Sequence, residues 1–414
     1  MPQSTSKAFA WSAIDQIGRQ GLRFSLSVIL ARLLLPSEYG LMGMLIVFLM
    51  LAQTFADSGL STGLIQRQSI SDNDETSVFF LNIAAGALLA ILLCCLSPLI
   101  AAFYRQPILR PLLCLCSLGV LVSSFGIVHT ALLTREVDFR TQAIISLIAT
   151  VLGGALGIGM ALRGWGVWSL AAQNLALATV TVIMLWILRP WRPRGRFCWA
   201  SIRSLWPFSS KLLASGLLNT TFDNLYTLVI GKLYVPAELG FYTRASSLAM
   251  LPATSVTTMT QRVMFPVFSR MQDDKVRIKC EMRRLIRLLA AFHFPLMAGL
   301  AAVAQPLVIC LLTAKWLPCV PYIQILCFAG MLYPLHVVNL DVMKALGRSD
   351  LFLKLEIIKK VLVVVLLGAT FWLGVGAMVA SILANSVICL AINSYYNRHL
   401  FDYGWNDQIR DCIP

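Results

Sequence analysis

Asp15, Arg19 and Arg23 recur every fourth residue in the first apolar segment of the chain, with Gln16 and Gln20 beside them. On a helix that spacing forms one stripe. A stripe this polar does not face hydrocarbon, where a charged side chain costs at least about 2.5–3.5 kcal/mol and is kept mainly where it meets a cavity or a partner. Guanidinium groups in a partly desolvated cavity form charge-assisted, often bidentate bonds with phosphate oxygens, so the chemistry these residues suit is the binding of a phosphate or other anion. The plainer alternative is that Asp15 pairs with Arg19 one turn on and holds helices together.

The stripe has a counterpart. ARLLLPSEYG, Ala31 to Gly40, returns as GKLYVPAELG, Gly231 to Gly240, with a basic residue, Leu, Pro, Glu and Gly matched at a constant offset of 200. The same offset carries the stripe onto Ser215, Asn219 and Asp223, with Lys211 one turn earlier and Asn224 adjacent. Asp57 lies toward one end of the second apolar segment, and Arg244, Gln261 and Arg262 lie on the eighth. By topology Arg19, Arg23, Lys211 and Arg262 fall in the cytoplasmic half or near the middle of the membrane, which makes a cavity there cationic. Few intramembrane acids balance them, which favours an anion site, and a lipid pyrophosphate carrying a sugar chain fits it. Asp15, Asp57, Asp223 and Asp341 are the candidate protonation or coupling sites.

The elements that must position these residues are membrane helices. The chain is 58% hydrophobic and 13% charged, with a mean hydropathy of +0.76, against about 25% charged in a soluble domain. About 20 apolar residues span a bilayer, and about twelve segments of that length recur. They run over Ser12–Leu35, Leu41–Ile65, Ser77–Phe103, Leu109–Leu133, Thr141–Leu162, Trp165–Leu188, Leu205–Tyr234, Phe241–Phe268, Met282–Leu312, Pro321–Met343, Lys354–Leu373 and Gly376–Tyr396. The expected architecture is an all-α integral membrane protein of two pseudo-symmetric six-helix lobes, residues 1–188 and 204–400. A basic cytoplasmic linker (189–203, containing RPWRPRGR) divides them, and a tail follows (401–414). Paired halves of this kind usually enclose a path across the membrane.

Lys and Arg concentrate on alternate loops, which places both termini in the cytoplasm. The formal charge of +15 therefore reads as topology and contact with anionic lipid headgroups rather than nucleic-acid binding, for which no recognition fold has room. Most of the 11 cysteines fall in apolar segments, where Cys behaves as a small hydrophobe, and no metal-ligand spacing or P-loop is present. Short loops leave no place for the catalytic groups of a membrane enzyme, so a non-enzymatic transporter is expected.

Several stretches carry a family resemblance: ARLLLPSEYG, FADSGLSTGLIQRQ (Phe55–Gln68), LTREVDFR (Leu133–Arg140), GWGVWSL (Gly164–Leu170), LGFYTRA (Leu239–Ala245) and MTQRVMFPVFSRMQ (Met259–Gln272). Together they resemble the Wzx-type lipid-linked oligosaccharide flippases, in the polysaccharide transporter branch of the superfamily that also holds the multidrug extruders. The similarity is greatest to the subgroup of the colanic acid exporter. The resemblance implies a V-shaped exporter fold that alternates between inward-open and outward-open states. Its cargo would be undecaprenyl-pyrophosphate-linked repeat units crossing the bacterial inner membrane, with membrane lipids and polysaccharide polymerase machinery as partners. It also implies that basic residues of helices one and eight, here Arg19, Arg23, Arg244 and Arg262, meet the pyrophosphate. No cofactor is expected, and energy would come from the membrane potential or an H+ or Na+ gradient. A multidrug exporter of the same fold is the alternative; it predicts an acidic, cation-binding cavity. Related exporters commonly continue for two further helices, so the chain is expected to be either a twelve-helix version or truncated.

Overall fold

The computed structural model describes residues 5–272 and 274–412, with side chains from residue 18 onward except those of Arg19, Arg262, Phe265 and Ser349; among these residues there are helices and no strand. In chain order the helices are α1 (Thr5–Leu33), α2 (Pro36–Asp57), α3 (Leu60–Gln66), α4 (Asp72–Tyr104), α5 (Leu109–Ser124), α6 (Ile127–Arg135), α7 (Phe139–Leu162) and α8 (Val167–Leu188). Then follow α9 (Trp199–Asp223), α10 (Leu225–Leu233), α11 (Pro236–Arg270), α12 (Lys275–Ala302), α13 (Ala304–Leu311), a 3-10 turn (Ala314–Cys319), α14 (Val320–Ala345), α15 (Ser349–Thr370), α16 (Val375–Phe401) and α17 (Trp405–Cys412).

The duplicated motif is the same local structure twice. α1 ends at Leu33 and α10 at Leu233; α2 begins at Pro36 and α11 at Pro236. Proline suits a first helical position because its φ is already helical and no intrahelical donor is needed there. In the first copy the Leu35 N–H donates to Glu38 Oε2 at 2.6 Å, so the repeated Pro-x-Glu spacing satisfies one of the orphan donors of a helix start. The backbone bond Glu38 N–H to Leu35 O, 3.1 Å, is matched by Glu238 N–H to Val235 O, 3.0 Å.

Among the described residues seven helices are long and apolar enough to cross a membrane, or eight if α5 and α6, bent by 43° at their break, make one span. The remaining segments expected from the sequence are also helical, in α1, α9 with α10, α11 and α15. Apolarity alone therefore accounts for seven or eight of the twelve expected crossings. The other expected segments coincide with the more polar helices α1, α9, α11 and α15. α15 shows how such a helix can still face lipid: Leu353, Ile357, Val361 and Val364 form an exposed row, while Lys359 Nζ pairs with Glu356 Oε1 at 3.4 Å elsewhere on the helix. A long exposed apolar row needs a solvent as apolar as itself. This is a multi-pass membrane protein.

The chain forms two compact units, Met1–Leu239 and Gly240–Pro414. In the first, α7 packs along α8 and α1, α4 along α5, and α9 and α10 against α2. Because lipid tails are as apolar as Leu, close packing and interhelical polar contacts hold such helices together rather than removal from water. Small residues permit the approach: a Cβ on Gly153 or Gly157 of α7 would meet Leu177 or Gln173 of α8 at 3.2 Å or less. The basic connector is fastened to α4. Gly195 N–H donates to Thr76 Oγ1 at 3.0 Å, Arg196 N–H to Asn73 Oδ1 at 2.8 Å and Cys198 N–H to Ser77 Oγ at 2.8 Å. Trp191 Nε1 donates to the Glu75 carboxylate, its ring edge-on to Phe79 and His129.

In the second unit α14 packs against α16 and α12. Phe268, Ile278, Met282, Ile286, Leu335 and Val342 form its core with Tyr403. The tail after residue 400 folds back as α17 on α12.

Candidate functional site

Three helix breaks in the first unit adjoin one cavity. α2 stops at Asp57 because Ser58 and Gly59 both take left-handed φ, +53° and +67°. A Cβ on Gly59 would also lie 2.8 Å from Ser209 O. α5 gives way to α6 at Phe125 and Gly126, and α9 to α10 at Asn224, whose amide donates to Thr220 O at 2.8 Å. Broken helices within a membrane are tolerated where the interrupted backbone is buried in protein or lines a cavity. The cavity here, about 610 Å³, is lined by Gln53, Thr54 and Asp57 of α2, Ser61 of α3, Ser123 of α5, Thr130 and Thr134 of α6, Thr181 of α8 and Thr220 of α9, with apolar residues between them. That lies within the ~300–1,000 Å³ of ordinary ligand pockets.

The hydrogen-bond polarity of this wall is one-sided. Thr54, Thr130, Thr134 and Thr181 each donate their hydroxyl proton to the carbonyl four residues back, at 2.7–3.0 Å. A hydroxyl whose proton is committed still offers lone pairs. Among the described residues Asp57 is the only ionisable one on the wall. Ser61 bonds to its carboxylate, and its Oδ1 is buried with no hydrogen-bond partner. Apart from the Gln53 amide, and with Thr134 Oγ1 already accepting from Gln142 Nε2 at 3.0 Å, the described wall presents more acceptors than donors and suits a donor-bearing ligand, such as one with the hydroxyls of a sugar, or a cation. It does not resemble a phosphate cradle, which needs donors.

Of the residues singled out from sequence, Asp57 is on this wall, next to the α9 turn that carries Asn219 and Thr220; Thr54 Oγ1 and Thr220 Oγ1 are 3.5 Å apart. Arg23, Lys211, Asn219 and Asp223 are exposed on α1 and α9. The side chains of Asp15, Arg19 and Arg262 lie outside the described residues. In the second unit Arg244 is buried, 6% exposed, with its guanidinium 5.6 Å from the centre of the Trp316 ring, a cation–π arrangement. Asp341, 5% exposed, receives Gln261 Nε2 at 3.4 Å and Lys344 Nζ at 3.5 Å. The cavity hydroxyls were not singled out from sequence. Their signals were the FADSG break and the spacing of Thr130 and Thr134 by one turn on a single face.

The polysaccharide biosynthesis protein family model matches residues 29–321. The chain belongs to that family. This family member is 27% identical over 363 residues to the lipopolysaccharide biosynthesis protein WzxC of Escherichia coli K12, covering 86% of this chain and 73% of that one. It is 28% identical over 333 residues to the succinoglycan biosynthesis transport protein ExoT of Rhizobium meliloti, covering 80% and 67%. Its fold is that of the lipid II flippase MurJ in an inward closed conformation, with a TM-score of 0.77 at 13% identity over 97% of this chain and 90% of that one. It also matches an inward-facing multidrug resistance transporter of the MATE family, with a TM-score of 0.70 at 14% identity over 92% and 94%.

Proposed function

We propose that this polysaccharide biosynthesis protein is a flippase. It moves undecaprenyl-pyrophosphate-linked oligosaccharide repeat units from the cytoplasmic to the periplasmic leaflet of the bacterial inner membrane, by alternating access, for surface polysaccharide assembly. No bond is made or broken, so the protein is a transporter and not an enzyme. The observation that carries this reading is the acceptor-rich cavity in a member of this family, since sugar hydroxyls supply the donors such a wall is short of. The names of the relatives WzxC and ExoT and the fold of a lipid II flippase support it.

In this reading the cargo is read in two places. Thr54, Asp57, Thr130 and Thr220 meet sugar hydroxyls, while Arg19, Arg23, Lys211, Arg244 and Arg262, with Asn219, supply the donors that the pyrophosphate needs. The polyprenyl chain stays in lipid. The moving parts are the six-helix halves 1–188 and 204–400, with both termini cytoplasmic. An H+ or Na+ gradient drives the cycle through one of Asp15, Asp57, Asp223 and Asp341, and the released units pass to the polymerase machinery.

One observation favours a second reading. An acceptor-rich wall that carries the Asp57 carboxylate also suits an organic cation, the cargo of a multidrug exporter of the same fold. The deciding experiment deletes the protein in cells where it is the sole exporter of its kind. Loss of surface polymer with lipid-linked units accumulating on the cytoplasmic leaflet is expected; unchanged polymer with heightened sensitivity to cationic compounds would favour the exporter.

A further inference from the structure

A second cavity, of about 910 Å³, lies within the second unit and has no part in the reading above. Its long wall is Ala290, Ala291, Phe294 and Ala298 of α12 with Met331 of α14, and its mouth is Arg287 of α12 and Arg410 of α17. The sequence of α12 changes character here: Lys275, Arg277, Lys279, Arg283, Arg284 and Arg287 occupy its first half, and from Leu288 to Ala302 it carries no charged residue. Arg287 thus marks the level where headgroups give way to hydrocarbon. From Arg287 to Ala298 the helix rises about 16 Å at 1.5 Å per residue. Half of a hydrocarbon core of about 30 Å is nearly the same length, so the apolar wall spans one leaflet.

The mouth has an excess of positive charge. Asp411 is the carboxylate among the described residues that line it, and it is already bonded by Arg283 at 2.8 and 3.1 Å, by Arg287 at 2.9 and 2.6 Å and by the Tyr403 hydroxyl at 2.9 Å. Arg410, the adjacent residue on α17, is exposed. Among the described residues, three guanidinium groups, those of Arg283, Arg287 and Arg410, gather about Asp411, with Asp407 also acting on Arg283; the basic excess leaves donors for an anionic oxygen at the head of an acyl-length apolar slot.

We propose that this groove holds an anionic phospholipid of the leaflet at the basic end of α12, with its phosphate on Arg287 and Arg410 and one acyl chain along Phe294, Ala298 and Met331. The lipid seats α17 on α12. The site is separate from the cargo cavity and holds a structural lipid.

The test is native mass spectrometry of the full chain in detergent, after incubation with phosphatidylglycerol or with phosphatidylcholine. The wild type retains one phosphatidylglycerol in preference to phosphatidylcholine by roughly tenfold, the effect of one charge-assisted contact. Arg410→Gln, which leaves the Asp411 bonds intact, removes most of that preference. Ala298→Trp fills the slot and abolishes retention while elution and helix content stay unchanged. Equal retention of both lipids, or an unchanged preference in both variants, would overturn the proposal. So would retention of a lipid-linked oligosaccharide with no phosphatidylglycerol, since the groove would then belong to the cargo.

Discussion

A Cβ built on Gly40 would lie 1.7 Å from the carbonyl oxygen of Pro236: the two copies of the duplicated turn touch, backbone against backbone. The repeated Gly is thus explained at its first copy by contact with the second. Gly40→Ala forces the first turn of α11 away and lowers the Tm of the purified protein, with a loss of about 1–3 kcal/mol as for other overpacked sites. Gly159→Ala is the control, because nothing stands within 4 Å of its Cβ position; a helix-interior Gly→Ala change of that kind is neutral or stabilising by about 0.5–1 kcal/mol.

Asp57 is the one charged acceptor among the described residues of the cavity wall. Asp57→Asn converts one carboxylate oxygen into a donor and removes a charge-assisted bond worth about 1.5–3 kcal/mol, so transport falls roughly ten- to hundred-fold. Thr220→Val, which removes a neutral hydroxyl, has the smaller effect. Polymer yield at matched protein abundance reads both.

The connector is a fastened strap. Trp191→Phe keeps the ring against Phe79 and His129 but loses the bond to Glu75, and lowers stability by about 1–3 kcal/mol. Trp191→Ala also loses the packing and lowers it by about 3–5 kcal/mol. Thermal unfolding in detergent separates the two.

Asp411 makes the docking of α17 pH-dependent in a defined direction. Burial alone would raise its carboxyl, but the bonds from Arg283, Arg287 and Tyr403 outweigh burial and hold it at about 2, below the ordinary value of about 3.9. A depressed carboxyl stabilises the folded form above its unfolded value and loses that contribution as pH falls through the folded one. Hydrogen exchange over residues 403–412 is therefore slow and flat from neutral pH to about 4 and speeds up only on further acidification, after correction for intrinsic exchange. Asp411→Asn speeds it at every pH.

Much of the fold was legible because hydropathy and repetition are properties of the sequence itself. The repeat Ala31–Gly40 and Gly231–Gly240 forms matched turns, and each expected apolar segment is helical. The breaks were less legible: Leu41–Ile65 reads as one segment when hydropathy is averaged over a span, because Leu60, Leu64 and Ile65 resume the apolar pattern after the short polar run Asp57–Ser58–Gly59, whose left-handed backbone ends the helix. The same holds at Phe125–Gly126 and Asn224. The site was read through its charges, which announce themselves in an apolar chain, whereas threonines that bond their own helix do not. The tail was expected as a cytoplasmic extension, and its clamp on α12 depends on Asp411 meeting two arginines more than 120 residues away, a pairing no local pattern encodes.

The most direct measurement of the central claim reconstitutes the full chain in vesicles with an undecaprenyl-pyrophosphate-linked oligosaccharide and follows how much of the sugar becomes accessible on the opposite leaflet. The protein is expected to expose the protected pool, and Arg19→Ala, Arg23→Ala and Arg262→Ala together, or Asp57→Asn, to slow that exposure. Accessibility equal to that of protein-free vesicles, with or without an ion gradient, would contradict the account.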